Sequence, residues 1–124
     1  MTDDGEEIFE SDPTAWPIHY RILRAFDGLS DIETRTSSTQ VAYRHGRSFA
    51  LVSRSGRSAP ADVPLVLSLV LRDPLDSARV TEVVKVARDT WMHHLELRSA
   101  ADVDDEVRAW IVRAWESADR RVGH

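Results

Sequence analysis

The chain has 124 residues, of which 42% are hydrophobic, and a formal net charge of −5. This length is typical of one domain with its own core, and the absence of cysteine excludes disulfide bonds and thiolate chemistry. Because the sequence has no run of about 18 apolar residues and no apolar segment near its acidic start, we expect a cytoplasmic protein without a membrane span or a secretory signal.

Charge is unevenly distributed along the chain. Residues 1–16 contain six of the 21 acidic residues and no basic residue, so the remainder of the chain is close to neutral. Residues 34–61 contain five arginines and no acidic residue. We therefore interpret residues 1–12 as an acidic flexible tail and residues 13–120 as a single domain, and we hypothesise that the tail covers the basic segment.

The first predicted element is an amphipathic helix that begins near Thr14. A threonine can cap a helix, and Pro17 falls in the first turn, where the missing N–H group costs nothing. Gly28 is a typical end signal. Four large side chains recur at helical spacing and predict the buried side of the helix: Trp16, Tyr20, Leu23 and Phe26.

A weakly alternating segment, DIETRT, is followed by two clearer strands and a tight turn. The segments TQVAYR and RSFALVSR alternate with a period of two, and His45-Gly46 lies between them as a two-residue turn. This register places Arg44 opposite Arg47, and Ala42 opposite Phe49. Both faces of the hairpin then carry apolar side chains, which predicts a position inside the sheet rather than at its edge.

Three further strands and a second helix are predicted in the rest of the chain. The strand segments are VPLVLSLVLRD, TEVVKVA and TWMHHLELRS. Ser99 and Asp102 form a variant of the capping box before the last helix, whose apolar stripe comprises Val103, Val107, Trp110, Ile111, Ala114 and Trp115. This order predicts an α+β fold in two layers, an antiparallel sheet of five or six strands with an N-terminal and a C-terminal helix packed on it.

Several short motifs occur in an order and spacing that are specific when taken together. They are Thr39, the strand from Val41 to Arg44, the strand from Phe49 to Val52, His93 to Leu95, and Arg98 with Ser99, Asp102, Asp104 and Asp105. Over residues 15–118 this pattern resembles a bacterial family named domain of unknown function 5655. Ser38 stands where the family has lysine, and Ala100 where it has proline. The resemblance implies the same fold and transfers no activity.

The arginine-rich hairpin is the first candidate site. Arg44 and Arg47, if they face each other, repel unless solvent screens them or an anion lies between them. Guanidinium groups suit phosphate and carboxylate, Arg54 and Arg57 lie further along, and Tyr43 is placed to stack on a base. The alternative is that these arginines only extend into solvent. Candidate ligands are an anionic small molecule, a nucleic acid or an acidic protein surface.

The second candidate site is a cleft on the uncovered sheet face that uses Ser38, Thr39 and His93. His93 and His94 are adjacent on a strand and project to opposite faces, so they cannot bind one metal ion together. The alternative for His93 is a hydrogen-bonded core histidine. Because the sequence lacks G-x-G-x-x-G, P-loop, G-x-S-x-G and H-E-x-x-H motifs, we predict no catalytic residue, metal or cofactor.

These features predict a noncatalytic binding module that holds an anionic ligand or partner through the hairpin arginines. Two other hypotheses stay open from the sequence. One is a small enzyme or metabolite-binding protein that uses the open sheet face, and the other is a homodimer in which a second copy covers that face. Apolar side chains of Val41, Val52 and Val66 on the open face would favour the homodimer.

Overall fold

The structure is a computed structural model that describes residues 13–37, 40–53 and 63–118. As predicted, the fold is α+β, with a six-stranded antiparallel sheet and an N-terminal and a C-terminal helix. The strands are β1 (Glu33–Thr36), β2 (Gln40–His45), β3 (Arg47–Ser53), β4 (Leu65–Leu71), β5 (Glu82–Ala87) and β6 (Thr90–Leu97). The helices are α1 (Ala15–Ala25) and α2 (Asp105–Ala118), and a 3₁₀ turn spans Ala100–Asp102. The predicted acidic tail, residues 1–12, lies outside the described residues.

The order of strands in the sheet is β1-β2-β3-β4-β6-β5. The β2–β3 hairpin therefore lies inside the sheet, as predicted from its two apolar faces. Strand β6 pairs with both β4 and β5, so β5 forms one edge of the sheet and β1 the other. Every residue of the two edge strands is exposed, which explains why the DIETRT segment alternates only weakly.

Strand β4 is the centre of the core because its sequence is apolar on both faces. Its four leucines alternate toward the helices and are fully buried: Leu65, Leu67, Leu69 and Leu71. Each such leucine stabilises the fold by about 2 kcal/mol through the apolar surface that it removes from water. Val66 and Ser68 project to the other face, and they are also largely buried, at 8% and 7% exposure.

The prediction of which side of α1 is buried is wrong, because the helix is rotated about its axis relative to the predicted orientation. The structure buries the neighbouring stripe, Ala15, Ile18, His19, Ile22 and Ala25. Tyr20 is 47% exposed, and Trp16, Leu23 and Phe26 pack only at the margin of the core. Both stripes have helical spacing, but the isoleucines and alanines let the helix lie closer to the sheet, while the larger aromatic rings cover its rim.

The apolar stripe of α2 is confirmed, but the capping box belongs to the turn before the helix. Val107, Ile111 and Ala114 are fully buried, with Trp110 and Trp115 at the margin of the core. The carboxylate of Asp102 accepts hydrogen bonds from the backbone N–H groups of Arg98 and Ser99, at 2.8 and 3.2 Å, and so closes the 3₁₀ turn. The helix itself begins at Asp105, and among the described residues no helix is long and apolar enough to cross a membrane.

The connection between β4 and β5 is tied to the start of α2 by Arg79. Its Nη1 lies 2.9 Å from the carboxylate of Asp104 and 3.2 Å from that of Glu106, and its Nη2 donates to the carbonyl of Asp102 at 2.7 Å. Asp104 also caps α2, since it accepts the N–H of Val107 at 3.1 Å. The hydrogen bonds from Arg79 and Val107 hold the pKa of the Asp104 carboxyl below its usual range.

Candidate functional site

The predicted pairing of Arg44 with Arg47 is wrong. In the structure Arg44 pairs with Ser48, and His45 pairs with Arg47. Residues that pair across an antiparallel ladder project to the same face, and neighbours along a strand project to opposite faces. The two arginines therefore point to opposite sides of the sheet, and they do not form a common anion site.

The register changes because β3 contains a β-bulge at Phe49. Tyr43 pairs with Ala50 and the next residue of β2 already pairs with Ser48, which leaves Phe49 as the additional residue. Phe49 and Ala50 are both fully buried, since burying the phenyl ring favours an irregular ladder over an exposed aromatic side chain. With the bulge, Gly46 alone forms the turn and has a φ of +80°, a conformation that glycine adopts without strain.

Tyr43 cannot stack on a base, because it belongs to the core. It is 3% exposed, and its hydroxyl forms a 2.6 Å hydrogen bond with Nε2 of His19 on α1. Its ring meets that of Phe26 edge to face, with centroids 4.8 Å apart. The alternation of β2 places Tyr43 on the face covered by the helices, so this predicted site residue is a packing residue.

His93 also lies in the core, on the covered face of β6. Its Nε2 accepts the backbone N–H of Leu75 at 2.9 Å, so the ring proton lies on Nδ1, which faces the carbonyl of Leu69 at 3.3 Å. Burial lowers the pKa of His93, and the nearby positive charge of Arg113 lowers it further. Both nitrogens are occupied, so the structure shows the core histidine that the sequence left as an alternative, and His93 is not available to a ligand.

The hairpin turn is fastened to the end of α2 by His45. The imidazole stacks on the indole of Trp115 with centroids 4.3 Å apart, and Nδ1 lies 2.9 Å from the Trp115 carbonyl oxygen. The indole N–H of Trp115 donates in turn to the carbonyl of Ser30 at 2.9 Å. These contacts fix the position of Arg47, the next residue after the turn.

A pocket opens beside Arg47, where β3 and β4 separate. The pairing of these strands ends at Ala50 and Leu69, so the bulge leaves the residues beyond that pair without a ladder partner in the other strand. The pocket has a volume of about 40 Å³ and is lined by Arg47, Ser48, Val70, Leu71, Arg72, Thr90, Ser117 and Ala118. A bulge that interrupts a ladder is a recurrent way of making space for a ligand at a sheet.

Two arginines and three hydroxyl-bearing residues are among the residues that line the pocket, whose walls are mostly apolar. Neither Arg47 nor Arg72 forms an ion pair with an acidic side chain in the parts of the chain that the structure describes. The hydroxyl-bearing residues are Ser48, Thr90 and Ser117, and the Thr90 hydroxyl donates to the carbonyl of Arg88 at 3.2 Å. Guanidinium and hydroxyl donors around a small space can bind an oxyanion, a carboxylate or a phosphate group.

The other predicted site residues either lie outside the described residues or are placed elsewhere in the fold. Ser38, Thr39, Arg54 and Arg57 lie outside the described residues. Arg44 projects from the face opposite the helices, where its Nη2 lies 3.5 Å from the carbonyl of Gly46. Of the predicted residues that the structure describes, only Arg47 lies at the pocket. Sequence reasoning missed Arg72, Thr90 and Ser117, because no local signal shows that the ends of three strands and a helix meet.

The sheet face away from the helices, which we call the open face, carries a second polar group of residues. The Ser68 hydroxyl and Nδ1 of His94 form a 2.7 Å hydrogen bond between β4 and β6. Because Ser68 is almost fully buried, its hydroxyl group is not accessible as a nucleophile, and the bond to His94 provides the partner that a buried hydroxyl needs. Among residues 13–37, 40–53 and 63–118, no three histidine, aspartate or glutamate side chains are grouped as metal ligands.

Comparison with known proteins identifies the family. The family model described as Domain of unknown function (DUF5655) matches residues 6–118. The chain belongs to the DUF5655 family. No curated protein and no solved structure matches the chain. The resemblance noted in the sequence is thus confirmed, and in this DUF5655 domain the family strand from Val41 to Arg44 is β2, which contributes Tyr43 to the core and positions the turn before Arg47.

Proposed function

We propose that this DUF5655 protein is a noncatalytic binding module for an anionic ligand. The single observation that supports it is the presence of Arg47 and Arg72 at one pocket, without acidic partners in the described part of the chain. Two guanidinium groups held near each other repel, and an oxyanion between them removes that repulsion and accepts several charge-assisted hydrogen bonds. The proposal keeps Arg47 from the predicted hairpin site and replaces Arg44 with Arg72.

The size of the pocket limits the ligand class. A volume of 40 Å³ corresponds to roughly three water molecules, so the pocket accepts one carboxylate or phosphate group rather than a nucleobase. Since Tyr43 is buried, no aromatic side chain of the predicted set remains for base stacking. A small anionic molecule therefore fits better than a nucleic acid. We further propose a location in the bacterial cytoplasm, with which the absence of cysteine agrees.

The test is a titration of the purified protein with inorganic phosphate and, separately, with acetate, followed by calorimetry and by thermal unfolding. We expect saturable binding of at least one of these probes. Replacing Arg47 or Arg72 with glutamine removes a charge-assisted hydrogen bond of about 1.5–3 kcal/mol, so each variant should bind the probe at least about tenfold more weakly. Comparing phosphate with acetate identifies which oxyanion the pocket prefers.

The matched control is Arg24→Gln, which removes the same charge from the exposed side of α1. This variant should bind the probe as the wild type does. Because Ser117 and Ala118 place the C-terminal end of α2 at the pocket, the arginines also stabilise the negative end of that helix dipole. If the two pocket variants are less stable than the wild type but bind the probe equally well, or if the wild type binds neither probe, the proposal is wrong.

A further inference from the structure

Paired residues on the open face form a row with opposite charges at its two ends, and Glu33 pairs with Arg44 beside the basic end. One continuous row of paired residues crosses the six strands in the order Arg35, Ala42, Leu51, Ser68, His94 and Glu82. Paired residues share a face, and Val41 and Tyr43, which flank Ala42 along β2, are buried under the helices. All six residues therefore project from the open face, with a basic residue at one end of the row and an acidic residue at the other.

The open face carries apolar side chains around a polar centre. Leu51 belongs to the row itself, Val66 and Val70 flank Ser68 on β4, and Met92 pairs with Val70, while Glu96 pairs with Val66. The hydrogen bond between the Ser68 hydroxyl and Nδ1 of His94 lies within the sheet, so covering this region leaves that bond in place. Apolar side chains with charged residues at the rim are common in protein interfaces. Val41 and Val52 lie on the covered face, so of the three valines considered from the sequence only Val66 contributes here.

We propose that a second copy of this chain packs on the open face, with a two-fold axis that runs parallel to the strands between β3 and β4. This operation places β1 of each subunit over β5 of the other, because β3 and β4 are the two central strands of six. Arg35 then lies beside Glu82 of the partner subunit, and the contact occurs twice. A two-fold axis perpendicular to the strands would instead place Arg35 on Arg35 and Glu82 on Glu82, and like charges would repel.

The area of the open face is sufficient for such a dimer. Strands about 4.8 Å apart and six residues that rise about 3.3 Å each give a face of roughly 500 Å² per subunit, or roughly 1,000 Å² in total. This value is at the lower end of specific interfaces, the class of weak or transient complexes. Two sheets whose strands lie nearly parallel pack as in aligned β-sandwiches, which the proposed axis permits.

The test uses charge reversal at two exposed positions, which leaves the core unchanged. In the wild type, sedimentation of the full chain should show association of the 14.0 kDa monomer into a dimer. Arg35→Glu places two acidic residues together at each end of the interface, and Glu82→Arg places two basic residues together. Each variant should dimerise about 10- to 30-fold more weakly at low salt, and the difference should shrink at high salt.

The single variants distinguish the proposed axis from a perpendicular one, and mixing them completes the test. About a perpendicular axis each single variant would only exchange one like-charge pair for another, and the mixture would dimerise more tightly than the wild type. A heterodimer of the Arg35→Glu and Glu82→Arg chains has an opposite-charge contact at both ends, so the mixture should dimerise as well as the wild type. Glu116→Arg, an exposed change on α2, is the matched control and should leave dimerisation unchanged. The proposal fails if the wild type is monomeric at high concentration, if only deletion of residues 2–12 allows dimerisation, or if the mixture associates no better than the single variants.

Discussion

Replacing His93 with leucine should lower the stability of the protein and also remove part of its pH dependence. The leucine fills a similar volume but cannot accept the N–H of Leu75, which His93 Nε2 accepts at 2.9 Å. A buried donor left without a partner costs about 1–3 kcal/mol, so the free energy of unfolding at pH 7.5 should fall by about that amount.

The pH dependence follows from the lowered pKa of His93, whose first cause is burial. Above a pH of about 6.5 the histidine is neutral in both the folded and the unfolded chain. Below that pH the unfolded chain takes up a proton and the folded chain does not, so the wild type loses stability until the pH reaches the lowered pKa of the folded state. The loss is at most about 1.4 kcal/mol per pH unit.

Urea unfolding at several pH values between about 5.5 and 7.5 measures both effects. The stability gap between the wild type and His93→Leu should be largest at high pH and should narrow as the pH falls. Leu95→Ala is the matched control, because it also removes a buried side chain from β6 but retains His93, and its gap should not change with pH. A gap for His93→Leu that is constant over this range would refute the assignment of His93 as a neutral core residue.

Three further changes test the hairpin and the attachment of α2. Phe49→Ala should destabilise the fold by about 3–5 kcal/mol in urea unfolding, since the ring is fully buried, and a loss below 1 kcal/mol would contradict the bulge. Gly46→Ala should cost about 1–2 kcal/mol because of the φ of +80°, and an equally stable variant would mean a different turn. Arg79→Gln should lower the melting temperature by a few degrees, with Arg88→Gln as the control, because Arg79 joins the Asp104 and Glu106 carboxylates at a partly exposed site.

The strands could be predicted from alternation, and the register of the hairpin could not. The segments around Val41 and Val52 were placed correctly in neighbouring strands inside the sheet. A two-residue turn was the simplest choice for His45-Gly46, but it would have placed Phe49 opposite Ala42. Packing of the Phe49 ring against the core decides the register, and that interaction depends on helices far away in the sequence.

The buried side of α1 was missed for a related reason. Tyr20 and Ile18 belong to overlapping stripes, and hydrophobic periodicity alone gives both a similar weight. The stripe that is buried contains His19, a polar residue, and so looks less apolar in the sequence. The hydrogen-bond partner that allows His19 to be buried, Tyr43, lies on a strand 24 residues away. The periodicity therefore predicted that a helix exists, while the choice of its buried side depends on a hydrogen bond between distant elements.

The candidate pocket could be predicted only in part. The local density of arginine, which the sequence shows directly, predicts Arg47 as a site residue. Nothing local predicts Arg72, because it looks like an ordinary charged residue at the end of a buried strand. Both residues line one pocket because β3 and β4 are neighbours and a bulge ends their pairing, and neither fact is encoded in a local motif.

The position of β6 between β4 and β5 has a consequence for synthesis of the protein on the ribosome. When the nascent chain has emerged as far as Ala87, β5 has no hydrogen-bonding partner, since its neighbour in the sheet is the strand that is made next. The unpaired β5 segment then contains Val83, Val84 and Val86, which are exposed even in the folded protein. One edge of β4 also lacks its partner until β6 has been made. A transcript truncated there would yield a polypeptide prone to intermolecular β-aggregation, and only the last third of translation removes this hazard.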